Sequence, residues 1–249
     1  DIIYMDPARR GEGGKKVFLI EECTPDVLTL KEEVFSICRH ILIKLSPMAD
    51  ISMVCDRLGE TCREVHVVTS EGECKELLIW MDKEWKDGYG IVAAELSHGY
   101  PAKEASTITF TPEDEKTAHA DIAVEIKGFL FEPGKSLTKA GAFNATSVHF
   151  QIPKLGKSTH YYIVTDEGKA EELKKYGKVF KILSCQPLDK RSMKEVGKAY
   201  PKAEVTARNI RLTSDALRKK LGCASGGDVH VFGLKSDAEG SLLMTCRRI

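Results

Sequence analysis

Short aliphatic runs alternate with an amphipathic stretch at the start of the chain. Residues 2–5 (IIYM) and 40–46 (HILIKLS) are apolar enough to be strands buried within a sheet. Between them, apolar residues recur at i, i+3 and i+4 over residues 25–38, which predicts a helix that begins near Thr24-Pro25. This alternation predicts parallel strands with helices packed on the sheet.

The next stretch contains two strands separated by only two residues. Residues 51–58 predict a short helix, and residues 64–70 (EVHVVTS) and 73–82 (ECKELLIWMD) are β-rich. Glu71-Gly72 leaves room only for a tight turn, so these two strands must form an antiparallel hairpin. The first part of the chain is therefore predicted to be a doubly wound α/β sheet that ends in an antiparallel hairpin.

The rest of the chain predicts further α+β structure. Residues 106–126 are polar and charged, which favours a linker between domains, and the alanine content of residues 139–150 predicts a helix. From residue 178 onward, strands and helices alternate in a compact module. The predicted domains are therefore residues 1–97, 98–177 and 178–249.

Composition narrows the class of protein. Of the 249 residues, 42% are hydrophobic and 30% are charged, as in globular domains. No apolar run approaches the roughly 20 residues that a membrane span needs. The cysteines are scattered without a CxxC pair, and no HExxH or GxSxG motif occurs. We expect a cytoplasmic protein with reduced cysteines and without a metal site.

The formal net charge of zero conceals two halves of opposite sign. Residues 1–150 carry 17 Lys and Arg against 26 Asp and Glu, whereas residues 151–249 carry 20 against 11. A basic half either faces a polyanion or has an ordinary lysine-rich surface, and charge alone does not separate the two interpretations.

Basic side chains concentrate in the last module, around a predicted helix that Thr213 or Ser214 caps. Such a patch can follow the phosphates of a nucleic acid, although cations at the end of a helix also complement the helix dipole. The candidate nucleic-acid-binding residues are Lys202, Arg208, Arg211, Arg218, Lys219 and Lys220, and Arg247 and Arg248 belong to the same module.

The first strand ends at Asp6-Pro7, at the edge where open α/β sheets collect their ligands. Proline fixes the turn, so the Asp6 carboxylate is presented rigidly to accept hydrogen bonds or to take up a proton. Arg9 and Arg10 follow and offer forked donors suited to phosphate. As a bare dipeptide, Asp-Pro is also a common turn at the end of a strand.

The second strand ends at Lys44 and Ser46. The carboxyl ends of parallel strands meet at one edge of a sheet, so both residues are expected beside Asp6. We predict that they complete the wall of a substrate pocket.

Five segments together resemble one bacterial family of class I S-adenosylmethionine-dependent methyltransferases, whose members carry a THUMP-like C-terminal domain. Any one of these segments is a weak signal, but together they run almost the full length of the chain. The segments are DPARR (6–10), KLSPMADI (44–51), FLFEPGKSLTKAGAF (129–143), TARNIRLTSDALRKKLG (206–222) and GGDVHVFG (226–233).

The resemblance implies the second half of a Rossmann-type methyltransferase sheet, a ferredoxin-like middle domain and a basic THUMP-like module. It also implies S-adenosylmethionine as cofactor and, because THUMP domains bind RNA, a tRNA or rRNA substrate. Asp6 and Pro7 would be catalytic, and Arg9, Arg10, Lys44 and Ser46 would bind the substrate. The Asp-Pro-Ala-Arg form is also similar to RNA uracil-C5 methyltransferases, but their nucleophilic cysteine is missing after Lys44, so covalent attack on a pyrimidine is not expected.

The glycine-rich turn that receives the cofactor in this family, GxGxG, does not occur in the sequence. We therefore expect the chain to be the C-terminal portion of a longer protein and to bind the methyl donor poorly by itself. The alternative is a non-catalytic RNA-binding or scaffold protein with an incomplete methyltransferase domain. Methylation of DNA or protein, the target atom and the oligomeric state stay open.

Overall fold

The structure is a computed structural model that describes residues 1–8, 20–97 and 104–249. Within these residues, the strands form one sheet of six strands and one of seven. Helices are short, and the longest has 11 residues. The fold is therefore mixed α/β, as predicted.

The described residues divide into two compact units. Unit 1 comprises residues 1–118 and 134–142, and unit 2 comprises residues 119–133 and 143–249. The chain passes between the units three times, because residues 134–142 return to unit 1 from within unit 2. The predicted division into three domains stays a prediction.

Unit 1 contains the six-stranded sheet, whose strand order is β1-β2-β4-β3-β5-β6. Its strands are β1 (Ile2–Met5), β2 (His40–Leu45), β3 (Cys62–Ser70), β4 (Glu73–Asp82), β5 (Gly90–Leu96) and β6 (Ala105–Phe110). Its helices are α1 (Val27–Ile37), α2 (Ile51–Leu58), α3 (Pro112–Thr117) and α4 (Lys135–Ala140), with a 3-10 turn at Ile20–Glu22.

The sheet of unit 1 confirms the predicted parallel strands and the hairpin, and it continues beyond the hairpin with β5, which is parallel to β3, and with β6. Strands β1 and β2 are parallel, and β3 and β4 form the predicted antiparallel hairpin, with β4 placed between β2 and β3. Helices α1 and α2 begin where Asp26 and Asp50 accept hydrogen bonds from the backbone N–H groups of the first turn. On β2, Ile41, Ile43 and Leu45 are buried while the residues between them are half-buried, so only one face of this strand is fully covered.

The predicted linker over residues 106–126 is wrong in its first half. Strand β6 pairs antiparallel with β5 and buries Ile108 and Phe110. Helix α3 then begins with a capping box, in which Thr111 and Asp114 bond each other's backbone N–H groups. Alternation of threonine with two large apolar residues is a short edge-strand pattern, which the charged residues that follow conceal.

Unit 2 contains the seven-stranded sheet, whose order is β11-β12-β13-β10-β7-β9-β8. Its strands are β7 (Phe129–Pro133), β8 (Lys154–Gly156), β9 (Thr159–Val164), β10 (Gly177–Pro187), β11 (Glu204–Arg208), β12 (Val229–Ser236) and β13 (Gly240–Arg248). Its helices are α5 (Asn144–Phe150), α6 (Glu167–Leu173), α7 (Lys190–Ala199) and α8 (Ser214–Leu221).

The single helix predicted over residues 139–150 is divided in two. Gly141 has a φ of +75° and ends α4 in the left-handed region, where glycine costs least. Helix α5 begins after Phe143, so the helical hydrogen bonding is interrupted between the two pieces. The two pieces belong to different units.

The sheet of unit 2 curls so that its two ends approach each other. Asp237, just after β12, donates its backbone N–H to the carbonyl of Leu155 on β8 at 3.2 Å, and its carboxylate accepts from the N–H of Lys157 at 2.8 Å. A core inside the curl includes Phe180, Phe232 and Met244. A second core lies on the outer face, where α7 and α8 pack on β11, β12 and β13.

A buried carboxylate is predicted to make the stability of unit 1 sensitive to acid. Asp82, at the end of β4, is 1% exposed and accepts hydrogen bonds from Arg39 at 2.9 and 3.1 Å and from Arg63 at 3.3 Å. The Arg39 hydrogen bond lowers the pKa of Asp82 to about 2, although burial acts in the opposite direction. Because the folded-state pKa is depressed, this stabilisation is present above the unfolded pKa of about 3.9 and is lost as the pH falls toward 2.

We expect Asp82→Asn to lower the free energy of unfolding at pH 7 by about 1–3 kcal/mol, because the arginines lose a charged partner. The urea midpoint of the variant should also fall less steeply than that of the parent between pH 5 and pH 2. Equal slopes for the two proteins would contradict the assigned role. Asp87→Asn, at an exposed carboxylate in the following loop, is the matched control.

Candidate active site and nucleic-acid interface

The structure brings Asp6 and Lys44 together at the carboxyl edge of the unit 1 sheet. Each residue stands at the end of one of two adjacent parallel strands, β1 and β2. The Lys44 Nζ donates to Asp6 Oδ2 at 2.7 Å, and this hydrogen bond raises the pKa of Lys44. The Lys44 and Asp6 side chains are 35% and 49% exposed, so the pair is open to a ligand.

The turn that presents Asp6 is held in place by the residues that follow it. Pro7 is buried while Asp6 is exposed. The next residue, Ala8, exchanges two backbone hydrogen bonds with Thr24 at 2.7 and 2.9 Å. The carboxylate therefore projects from a short, anchored segment, as the Asp-Pro sequence predicts.

Ser46 is engaged within its own loop. Its hydroxyl accepts a hydrogen bond from the N–H of Met48 at 3.1 Å, its carbonyl accepts from Ala49 at 3.0 Å, and the side chain is largely buried. These bonds shape the loop that follows β2. The predicted place of Ser46 in a substrate pocket stays a prediction.

Helix α4 is tied to this same edge at both of its ends, which the sequence did not reveal. Its N-cap is Gly134, which has no side chain to offer, and Glu95 on β5 instead accepts hydrogen bonds from the N–H and hydroxyl of Ser136 at 3.0 and 2.7 Å. Burial raises the pKa of Glu95, and the two bonds from Ser136 oppose that rise. At the other end, Lys139 donates to the carbonyl of Ala49 at 2.7 Å. The segment 129–143 thus contributes a helix that braces the loop after β2.

The Asp6–Lys44 pair suits hydrogen bonding to a substrate. A carboxylate held by an ammonium can accept further hydrogen bonds, so it can bind and orient an amino or imino group. Arg9 and Arg10, predicted to hold phosphate, lie outside the residues that the structure describes. Their predicted role stays a prediction.

The predicted nucleic-acid-binding residues fall into separate groups in unit 2. Helix α8 carries Arg218, Lys219 and Lys220 in its last turn, and Thr213 caps its first turn, as predicted. Lys202 is near this C-terminal end through a backbone bridge to Ala224. Arg218 forms an ion pair with Asp215, and this pairing reduces what it offers to a ligand.

Arg208 lies on the opposite face of the sheet from α8. On β11, Val205 and Ala207 belong to the core beneath α7 and α8. Side chains alternate along a strand, so Arg208 projects from the inner face of the curled sheet. Arg211 follows in the loop before α8. The six predicted cations therefore do not form one continuous patch.

Two segments of the chain match known family models. Residues 177–248 match a THUMP domain-like model, and residues 129–168 match a ferredoxin-like domain model. Both segments contribute strands to the seven-stranded sheet of unit 2. No curated protein matches the chain.

The whole chain is similar to a solved structure, that of a "putative methyltransferase" from Porphyromonas gingivalis W83. The TM-score is 0.86 at 30% sequence identity, and the match covers 100% of this chain. This chain spans 59% of the length of that protein. The predicted resemblance to methyltransferases with a THUMP-like domain is confirmed, and so is the predicted fold class.

Two further properties of the described residues bear on partners. No helix among them is both long enough and apolar enough to cross a membrane. Within the same residues, no group of three or more His, Cys, Asp or Glu side chains is placed to hold a metal ion.

Proposed function

We propose that this chain is the substrate-side part of an S-adenosylmethionine-dependent RNA methyltransferase. The observation that supports this proposal is the Asp6–Lys44 pair at the carboxyl edge of a methyltransferase-like sheet. Asp6 accepts hydrogen bonds from the target nucleotide and orients it, Pro7 keeps the carboxylate in place, and Lys44 holds it by a hydrogen bond. Because methyl transfer is an in-line displacement, alignment and electrostatics are the main contributions that these residues make.

The residues of this chain do not by themselves fit the cofactor. No GxGxG turn occurs in the sequence, and the described residues include no other glycine-rich turn from a parallel strand into a helix. When bound, S-adenosylmethionine supplies the methyl group. The residues Asp6, Pro7 and Lys44 position its acceptor.

Calorimetric titration with S-adenosylmethionine tests the proposal. It is carried out on this chain and on the full-length product of the same gene. We expect saturable binding by the full-length product and little or none by this chain alone. If neither protein binds the cofactor, the methyltransferase proposal fails, and the rival function, RNA binding or scaffolding without catalysis, is favoured.

A further inference from the structure

Two cysteine sulfurs meet in the core of unit 1, between helix α2 and strand β3. The Sγ atoms of Cys55 on α2 and Cys62 on β3 are 3.5 Å apart, which is van der Waals contact. The two residues are 3% and 1% exposed. Both belong to the free cysteines of the chain, so the structure shows the pair in its reduced form.

The connection between the two cysteines is short and hydrogen-bonded. Helix α2 ends at Leu58, which is fully buried, and the N–H of Gly59 donates to the carbonyl of Cys55 at 2.9 Å. The N–H of Cys62 then donates to the carbonyl of Gly59 at 3.0 Å, as β3 begins. The backbone therefore holds the two sulfurs side by side, so a reaction between them does not depend on a chance encounter.

A disulfide bond between these cysteines requires only a small movement. The sulfurs of a disulfide are about 2.05 Å apart, so the two Sγ atoms must approach each other by about 1.5 Å. Cys62 is the first residue of β3, and the register with β4 shifts between Cys62 and Glu64. A strand end with such a bulge adapts more readily than the middle of a regular ladder. Bond formation is therefore compatible with the rest of the sheet.

In the folded protein, the pair is protected from outside reagents. The contact with Cys62 and burial raise the pKa of the Cys55 thiol, so little of its reactive thiolate is present at neutral pH. Local opening of the connecting loop, in which Gly59 and Glu60 are exposed, gives a reagent access to the sulfurs. Burial thus limits the rate of oxidation, and the proximity of the sulfurs decides which bond forms.

We propose that Cys55 and Cys62 form a reversible oxidation site, at which a small disulfide such as oxidised glutathione converts the two thiols into a disulfide bond. One cysteine, as its thiolate, attacks the small disulfide, forms a mixed disulfide and releases one reduced thiol. The thiolate of the other cysteine then attacks the protein sulfur of the mixed disulfide and releases the second reduced thiol. The two thiol protons pass to the released thiolates, and two electrons pass from the protein to the oxidant. This chemistry is independent of methyl transfer.

The disulfide bond braces unit 1 at the edge opposite the candidate active site. It links the last turn of α2 to the first residue of β3, and such a closed loop restricts the unfolded chain. Strand β3 is parallel to β2, so its first residue lies at the edge where β2 begins, whereas Asp6 and Lys44 lie at the other edge. We therefore expect oxidation to raise the stability of unit 1.

The test is disulfide mapping of this chain after incubation with oxidised glutathione. The incubation is done in buffer and at the urea midpoint of unfolding, where the protein opens repeatedly and every pairing is accessible. Free thiols are then blocked with N-ethylmaleimide, and the protein is digested with trypsin without reduction. Trypsin cleaves after Lys44, Arg57 and Arg63, so the predicted bond joins peptide 45–57 to peptide 58–63. We expect this linked pair to exceed every other by about tenfold or more.

Cys185 and Cys246 provide a control within the same protein. They lie on the adjacent strands β10 and β13 of unit 2, but each is directly opposite another residue, Met244 and Ile182 respectively. We expect little or no bond between them, although they are neighbours in the fold. The variant Cys246→Ser should form the bond between Cys55 and Cys62 as the parent does.

Tryptophan fluorescence measures the effect of the bond on stability. Both tryptophans, Trp80 and Trp85, lie in unit 1, so their emission follows the unfolding of this unit. The urea midpoint of the oxidised chain should be about 1 M higher than that of the reduced chain. Cys62→Ala should show no such rise after the same treatment. Because each protein is compared with its own reduced form, any loss of stability caused by the substitution cancels.

The outcomes decide both parts of the inference. A dominant bond between any other two cysteines, or no bond after incubation in urea, would overturn the oxidation site. The expected bond with an unchanged urea midpoint would overturn its role as a brace. None of these outcomes depends on methyl transfer, which the titration with S-adenosylmethionine tests separately.

Discussion

Replacing Asp6 by alanine should reduce methyl transfer by the full-length gene product by about 10²–10⁴-fold, the range observed when a positioned acid or base is removed. The carboxylate is exposed, and its one described side-chain contact is the 2.7 Å hydrogen bond from Lys44, so its loss removes little packing. The assay is methyl transfer from labelled S-adenosylmethionine to RNA. Asp87→Ala, at an exposed carboxylate in the loop after β4, is the control.

Asp6→Asn distinguishes two roles of the carboxylate. Asparagine keeps one oxygen that accepts a hydrogen bond but cannot take up a proton at neutral pH. If Asp6 orients the substrate, as its pairing with Lys44 favours, the asparagine variant should retain more activity than the alanine variant. Equal loss in both variants would favour proton abstraction. Turnover of the alanine variant close to that of the parent would contradict the catalytic assignment.

Gly197→Ala should destabilise unit 2 by about 3 kcal/mol or more, although the same change in a helix normally stabilises it by about 1 kcal/mol. Gly197 lies in α7 against the end of α8. A Cβ atom built there lies 1.8 Å from the carbonyl oxygen of Leu221 and 2.8 Å from its carbonyl carbon. Because the obstacle is backbone, the two helices must separate, and the core that they cover must be repacked.

Urea unfolding followed by circular dichroism measures this effect. Gly168→Ala is the matched control, because Gly168 lies in helix α6 and the nearest atom to its added Cβ would be a side-chain oxygen of Asp166 at 3.3 Å. We expect this control to have the stability of the parent or slightly more. A Gly197→Ala protein as stable as the control would show that α7 and α8 pack less closely than described.

The parallel strands and the hairpin of unit 1 were predictable because their patterns are local and strong. Strands β1 and β2 are short aliphatic runs, and two residues between β3 and β4 leave no alternative to a hairpin. The sequence analysis did not predict strand β6, although Thr111 and Asp114, which form the capping box after it, have the residue types and spacing of that motif. Only two residues of β6 are buried, so the alternation of apolar and polar residues along it is too weak to be recognised beside the charged residues that follow.

The site was only partly predictable. Which strands are neighbours is easier to infer from a sequence than which face of the sheet each side chain occupies. The placement of Asp6 beside Lys44 follows from two consecutive parallel strands. The cations of the last module are close in sequence, but one residue of register decides which face each occupies, and Arg208 faces away from α8. Contacts between distant segments, such as Glu95 with Ser136 or Glu132 with Tyr161, leave no local sequence signal.

The return of residues 134–142 to unit 1 constrains how the protein is made. Unit 1 is not complete when residue 118 leaves the ribosome, because helix α4 is encoded after the first strand of unit 2. At a synthesis rate of about 5–20 residues per second, helix α4 is synthesised about one to several seconds after residue 118. A protein truncated at residue 118 would lack the helix that Glu95 caps and that braces the loop beside Lys44.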